Sequence, residues 1–350
     1  MVQEKESLNR LHINMLSQAN SVPGQGVGSA YIELINLLKK YYKNDLNITV
    51  NEWHKSDITH YHTVNPSYYL STFFSNRGVK IGYVHFLPET LKGSLKLPKL
   101  FRFVFNKYLI SFYKRMDKLV VVNPDFIDKL TSYNISKDKI KYIPNFVSKK
   151  EFFPINAEQR DQLKIKFKYD KNDFIVLGVG QVQERKGVSD FVDLAKRLPE
   201  FKFIWVGGFS FGKMTDGYSE LKSVVDDPPQ NLIFPGIVSR KQIRLYYQMA
   251  DVFLLPSYNE LFPMSVLEAS SCGIPLLLRN LSLYENILGD HYLSANNIDG
   301  FQQQLRLLNS DKKMIKKMQM ESLKLSKQYS EEKLAKIWFD FYSNEYKLDL

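Results

Sequence analysis

Short apolar runs alternate with stretches of helical period along nearly the whole chain. Short, mainly apolar runs at residues 11–16, 58–62, 79–85 and 119–122 predict strands. A second series, at 174–179, 203–206, 232–234, 252–255 and 276–278, repeats the arrangement. Between the runs, apolar residues recur every three or four positions, as from Ala30 to about Tyr41, which predicts amphipathic helices. Such alternation is the mark of parallel α/β sheets. Tyr142-Ile143-Pro144-Asn145-Phe146 closes the first series, Phe153-Pro154 begins a linker, and residues from about 311 to 345 read as charged helices. No internal repeat and no low-complexity tract interrupts this order. The predicted class is α/β: two Rossmann-like parallel-sheet domains facing a cleft, at 1–148 and 149–329, followed by a helix at about 330–350. Ligands of such sheets bind outside the carboxyl ends of the strands.

Composition narrows the setting. A chain of 350 residues is too long for one comfortable core and suits two domains. No apolar run approaches the roughly 18 residues of a membrane span. The start, Met1-Val2-Gln3-Glu4-Lys5-Glu6, lacks the apolar core of a signal peptide. The single cysteine, Cys272, excludes an intramolecular disulfide and reads as a small buried filler. A cytoplasmic protein is expected. Its net charge of +11 calls for an anionic partner: nucleic acid, an anionic membrane or a phosphorylated substrate. With no zinc finger, aromatic RNA-binding signature or heptad zipper, nucleic acid is the weakest of the three and is not expected.

Residues 256–275 carry the densest chemistry. The strand ending at Leu255 gives way to Pro256-Ser257-Tyr258-Asn259-Glu260, and a helix is expected to start at Pro263 and to stop at Gly273-Ile274-Pro275. Glu260 then sits at the strand's mouth and Glu268 more than a turn into the helix. The first helical amides, those of Met264 and Ser265, would point back into that mouth, where an anion is welcome. Two carboxylates around an amide cluster describe a site for a sugar attached to a nucleotide.

A second loop carries the opposite charge. Gly178-Val179-Gly180-Gln181-Val182-Gln183-Glu184-Arg185-Lys186-Gly187 follows a strand, so Gly180 permits close backbone approach and Arg185-Lys186 supplies fixed positive charge. The spacing is neither a Walker loop nor a dinucleotide G-x-G-x-x-G. In the first half His85 ends a strand, and Gly24, Gly26 and Gly28 form a loop at the end of the first strand. His60 and His62 would share one strand face, formally a metal pair. With no third ligand nearby they are expected to pack and position, and no metal site is expected.

The Glu260–Glu268 spacing, E-x7-E, resembles that of retaining GT-B glycosyltransferases, and the segment resembles the signature of glycosyltransferase family 4. The resemblance covers nearly the whole chain. It implies that Glu260 contacts the donor sugar, that Glu268 contacts the nucleotide ribose, and that Lys186 holds the donor diphosphate. It implies that His85 reaches the reacting sugar, that Gly24, Gly26 and Gly28 approach acceptor and donor, and that the last helix packs back on the N-terminal domain. The family often has Glu-Gly-Phe-Gly where this chain has Glu260-Leu261-Phe262-Pro263, and an arginine where it has Gln181. Arg185 is expected to take over that charge. The chain has no Asp-x-Asp of the kind metal-dependent sugar transferases use, so a metal-independent reaction on a UDP-sugar, with no other cofactor, is expected. No carboxylate is clearly placed as a covalent nucleophile, which favours front-face substitution. Residues 14–20 and 24–27, with Gly180-Gln181 and 260–263, are further similar to bacterial glycolipid synthases that extend glucosyl-diacylglycerol. The alternatives are a family 4 transferase of cell-wall or capsular polysaccharide assembly, and an inactive GT-B subunit that stabilises a partner.

One helix points to a membrane. Between Leu91 and Met116 stand seven basic residues and no acid. Leu100, Phe101, Val104, Tyr108 and Phe112 read as its core face. The opposite face would expose Lys99, Arg102, Asn106 and Lys114 together with Phe103, Ile110 and Tyr113. Basic residues interleaved with aromatics suit an anionic lipid surface. The expectation is a hexosyltransferase peripheral to the inner face of the cell membrane, acting on a lipid acceptor.

Overall fold

The structure is a computed structural model, and it describes residues 10–18, 26–91, 98–210, 212, 215 and 217–348. The first half runs β1 (Leu11–Leu16), α1 (Gly26–Tyr41), β2 (Leu46–Val50), β3 (Ile58–Tyr61), α2 (Pro66–Ser71), β4 (Val79–Val84), α3 (Lys99–Lys114), β5 (Lys118–Val121), α4 (Asp125–Ser132) and β6 (Ile140–Tyr142). The second runs α5 (Ala157–Lys166), β7 (Ile175–Val179), α6 (Val188–Arg197), β8 (Lys202–Val206), α7 (Tyr218–Asp226), β9 (Leu232–Gly236), α8 (Arg240–Met249), β10 (Val252–Leu255), α9 (Met264–Ser271), β11 (Leu276–Arg279), α10 (Ser282–Leu288) and β12 (Leu293–Ala295). Three helices close the chain: α11 (Ile298–Ser310), α12 (Lys312–Gln328) and α13 (Glu331–Leu348).

Two six-stranded parallel sheets result, ordered β2-β1-β3-β4-β5-β6 and β12-β11-β10-β7-β8-β9. Read from β9, the second is the 3-2-1-4-5-6 order of a doubly wound nucleotide-binding fold. The most apolar strands are inner ones of the second sheet: every residue of β7, β10 and β11 is buried, Arg279 at the end of β11 included. The strands that apolar runs did not reveal, β2, β6 and β12, lie at sheet edges. Only Leu46 of β2 and Ala295 of β12 are buried, and no residue of β6, so none of the three needs an apolar run.

The direction reverses beside β7 in the second sheet, where β8 lies on one side and β10 on the other. Folds of this order bind their ligands at that switch point, outside the carboxyl ends of the two strands. The loops leaving β7 and β10 there are 180–187 and 256–263, the two segments singled out from sequence.

Helix α13 returns to the first sheet. Phe339 stacks on Tyr42 with ring centroids 4.1 Å apart, and Lys40 pairs with Glu331. Trp338, which is fully buried, stacks on Tyr83 of β4 at 5.8 Å, and the Tyr342 hydroxyl meets His60 Nδ1 at 2.8 Å. Burying a large aromatic contributes roughly 2–3 kcal/mol, so these rings tie the end of the chain to the start.

Helix α3 corrects an expectation. Its exposed apolar positions are Leu100, Phe101, Phe103 and Val104, whereas Leu109, Phe112 and Tyr113 are buried. Leu100, Phe101 and Val104 were expected in the core and Tyr113 at the surface. Burial follows position along the helix rather than around it. The C-terminal half packs with Met116 and Leu119 in the core of the first domain, and the N-terminal half projects past it. The Tyr113 hydroxyl donates to the Phe86 carbonyl at 2.9 Å, which fixes its ring inside. Arg102 is half-buried, Lys114 is exposed, and Lys99 is the first residue of α3. No helix among the described residues is long and apolar enough to cross a membrane.

Candidate active site

The β7 loop tightens into a turn at Glu184–Lys186 and ends at Gly187, whose φ is +70°. A Cβ at Gly187 would lie 2.2 Å from the Pro256 carbonyl oxygen, so only glycine lets this loop lie against the start of the β10 loop. Backbone and side chains then stitch the two loops together. Tyr258 N donates to Arg185 O at 2.9 Å, Ser257 Oγ to Lys186 O at 3.4 Å, and Arg185 Nη1 to Asn259 O at 2.6 Å. From beneath, Arg279 at the end of β11 donates from Nε to Pro256 O at 3.0 Å and pairs with Asp190 of α6. Its guanidinium lies 4.1 Å from the Tyr258 ring, and the Tyr258 hydroxyl donates to Asp190 at 2.8 Å. Motif spacing gave no sign of Asp190, Tyr258 and Arg279.

This frame holds three predicted residues together. Lys186 Nζ donates to Glu260 Oε1 at 2.5 Å, and Arg185 Nη1 stands 3.7 Å from Glu260 Oε2. Burial alone would raise the Glu260 carboxyl, but Lys186 and then Arg185 outweigh it and hold the group below the usual carboxylate range. Burial lowers the Lys186 ammonium, which Glu260 opposes. The result is a buried carboxylate that stays ionised, flanked by two cations at the carboxyl end of a parallel sheet. Gly180 sits at the start of this loop with its carbonyl accepting from Trp205 Nε1 at 3.0 Å. Gln181 is engaged by Gln183, whose Nε2 donates to its Oε1 at 2.8 Å. Gln181 therefore brings no cation here, and Arg185 does.

Pro263 does not open the helix as expected. Its ψ of 120° is extended, and Met264 is the first helical residue. Ser265 follows, so both amides named from sequence lie in the first turn of α9. Phe262 is buried edge-on to Tyr329 at 5.5 Å, and its carbonyl accepts from Asn145 Nδ2 at 3.5 Å across the two domains. Asn145 Oδ1 in turn accepts from the Tyr83 hydroxyl at 3.1 Å. Glu268 is buried in α9, where its Oε2 accepts from the Tyr247 hydroxyl at 2.7 Å and its Oε1 lies 3.5 Å from Arg240 Nη1.

On the facing side His85 is buried just past β4, stacked on Tyr83 at 4.3 Å. His62 and His60 continue the column, with ring centroids 6.0 Å from His85 to His62 and 4.1 Å from His62 to His60. Burial pushes the His85 imidazole down to about 3, so it is neutral near pH 7, and its Nε2 has no partner among the described residues. Gly26 and Gly28 fall inside the first turn of α1, not in a loop before Ala30 as expected, and Gly24 lies outside the described residues. A pocket of about 210 Å³ opens between the halves, with Asn123, Asp125 and Phe126 on one wall and Tyr258, Asn259 and Glu260 on the other. No group of three or more metal-ligating side chains occurs among the described residues.

Two Rossmann-like domains, the second with charged loops at its switch point, have the architecture of the GT-B class, and the comparisons with known proteins supply the activity. Residues 28–151 match the family model for Glycosyltransferase Family 4, and residues 159–324 match that for Glycosyl transferases group 1. The alpha-galactosylglucosyldiacylglycerol synthase of Streptococcus pneumoniae is 48% identical over 346 residues, covering 99% of this chain and 92% of that protein. A processive diacylglycerol alpha-glucosyltransferase of Acholeplasma laidlawii is 28% identical over 197 residues, 55% of this chain and 58% of its own. The fold of HepE from Anabaena, solved with UDP and glucose, superposes with a TM-score of 0.76 at 14% identity, over 95% of this chain and 99% of that one. Sucrose-phosphate synthase from Thermosynechococcus elongatus gives 0.79 at 14% identity, over 97% and 100%. The chain belongs to glycosyltransferase family 4 and is a glycosyltransferase.

Proposed function

We propose that this enzyme transfers a hexose from a UDP-sugar to a glucosyl-diacylglycerol at the membrane face, with the anomeric configuration retained. The acceptor class rests on the 48% identity, along 99% of the chain, to a synthase whose name sets a galactosyl group on glucosyldiacylglycerol. The same name favours galactose as the transferred sugar. The chemistry rests on the loop pair. The diphosphate lies against Lys186, Arg185 and the first amides of α9, while Glu260 accepts from a hydroxyl of the donor sugar and Glu268 from the ribose. As the anomeric C–O bond to the diphosphate breaks, negative charge grows on the leaving oxygen, and preset cations and amides stabilise it by about 2–4 kcal/mol each. The acceptor oxygen bonds to the anomeric carbon on the same face, and its proton passes to the departing phosphate. His85, uncharged, lines the sugar side. On this reading the two cations and the α9 amides supply the charge that a metal would, so the reaction needs no metal.

The apolar N-terminal half of α3 with Arg102, Lys107 and Lys114 supplies the lipid contact. The test is transfer by the purified chain from UDP-galactose and from UDP-glucose to glucosyl-diacylglycerol in anionic vesicles, with the product linkage determined and a chelator in parallel. Transfer only to a sugar-diphospho-polyprenol would overturn the acceptor. Loss of activity with chelator would overturn metal independence.

A further inference from the structure

Glu268 is not held by its own domain alone. Arg240, the first residue of α8, spreads its guanidinium over three carboxylates: Glu268 of α9, Glu151 of the linker, and Glu33 of α1 in the N-terminal domain. The Phe152 ring supports it 5.0 Å away. Tyr247 occupies the other oxygen of Glu268. Burial raises the Glu268 carboxyl and Arg240 is the main contact opposing it, so the ionised form, the stronger acceptor for a ribose diol, depends on that cation. Glu33 is itself buried and pairs with Nη2 of Arg240, while the more exposed Glu151 takes Nε, so the two together hold the guanidinium with Nη1 turned to Glu268.

We propose that Arg240 and Glu33 are positioning residues for Glu268, through which contact between the two domains sets the affinity for the nucleotide. The proposal rests on the assignment of Glu268 to the ribose. It makes the nucleotide site of the C-terminal domain complete only when α1 of the N-terminal domain is docked. By reciprocity, nucleotide binding then favours the docked arrangement by the same factor.

The charge state of Glu33 offers a readout that a purely structural role would not give. Arg240 of α8, Glu268 of α9, Glu151 of the linker and Glu331 of α13 all face it, and burial raises its carboxyl to about 7 in spite of Arg240. The ionised form is the one that pins Arg240. UDP affinity should therefore weaken as the pH falls from 8 to 6.

UDP binding by calorimetry across that range tests the idea on the full chain. Glu33→Gln, nearly isosteric, should weaken UDP about fivefold or more at pH 8 and flatten the pH dependence. Arg240→Ala should weaken it further, and adding Glu33→Gln to Arg240→Ala should change nothing more, since both act through one guanidinium. Thermal melting shows that each variant is folded. If Glu268→Gln weakens UDP while Glu33→Gln leaves affinity and pH profile unchanged, the positioning role is wrong. If Glu268→Gln itself binds UDP like the wild type, the ribose assignment is wrong and the inference goes with it.

Discussion

Lys186 and Glu260 stand 74 positions apart and meet through a 2.5 Å ion pair at the point where the second sheet changes direction. Each is the other's counter-ion. On the proposed assignment, a diphosphate arriving beside them would offer Lys186 a second anion and leave Glu260 able to accept from a sugar hydroxyl. The pair would then present the donor with a cation and an acceptor already fixed by Gly187, Asp190 and Arg279, with little left to reorganise during reaction.

Removing the cation should show directly in turnover. Lys186→Ala is expected to lower kcat by about a hundredfold or more, in line with about 3 kcal/mol of transition-state stabilisation. The lysine sits at the switch point and holds up little core, so circular dichroism should report a native fold. A folded variant with unchanged kcat would sink the diphosphate assignment.

The two glutamates should separate kinetically. A carboxylate that grips the reacting sugar matters most in the transition state, whereas one that grips ribose acts equally before and during reaction. Glu260→Ala should therefore lower kcat severely, and Glu268→Ala should chiefly raise KM for the UDP-sugar. Steady-state kinetics with both variants decides the matter, and the opposite pattern would mean the roles are exchanged.

How far the sequence disclosed this site depended on what was local. Glycines, the Arg185-Lys186 pair and the E-x7-E spacing lie within single strand-to-helix connections, so the loops could be found from their own residues. The inner strands β7 and β10 announced themselves because burial on both faces favours continuous apolar runs. Asp190, Arg279, Tyr247, Arg240 and Glu33 were not legible, because each acts across tertiary contacts that no spacing encodes. Helix α3 was misread for a related reason. Its periodicity reads as if the whole helix lay on the core, but the fully buried apolar positions begin only at Leu109.

The histidine column should make stability pH-dependent. Burial lowers His60, His62 and His85, the last to about 3, while the unfolded chain titrates near the ordinary value of 6.5. Between those limits the unfolded state binds more protons, so stability is lost as pH falls below about 6.5. Each histidine contributes roughly 1.4 kcal/mol per pH unit. Glu33, raised from 4.5 to about 7, works in the opposite sense over that interval and offsets one histidine. His62→Phe keeps an aromatic ring in the stack and removes one titrating group. Its loss of unfolding free energy between pH 6.5 and 5 should be shallower than that of the wild type. Equal slopes in urea titrations would show that His62 is not held neutral.

The exposed end of α3 gives the membrane reading its sharpest test, because charge and apolar area can be removed separately. Arg102, Lys107 and Lys114 carry the charge, and Lys107 lies 4.5 Å from the Phe103 ring. Near an anionic surface each is worth about 1 kcal/mol, so changing all three to Ser should weaken binding to anionic vesicles by about a hundredfold at low salt. At high salt, where such charges are screened, the difference should shrink. Phe101→Ser with Phe103→Ser removes apolar area, which salt does not screen, so its deficit should persist at high salt. Tyr113 is unsuitable as a probe, since it is buried and bonded to Phe86. Both variants should hydrolyse UDP-sugar in solution at near the wild-type rate, because α3 contributes no residue to the Lys186–Glu260 loops. Flotation of the triple charge variant indistinguishable from wild type at low salt would exclude α3 as the lipid contact. A deficit in both variants, with transfer to a lipid acceptor falling alongside vesicle binding, would establish that this helix brings the enzyme to its acceptor.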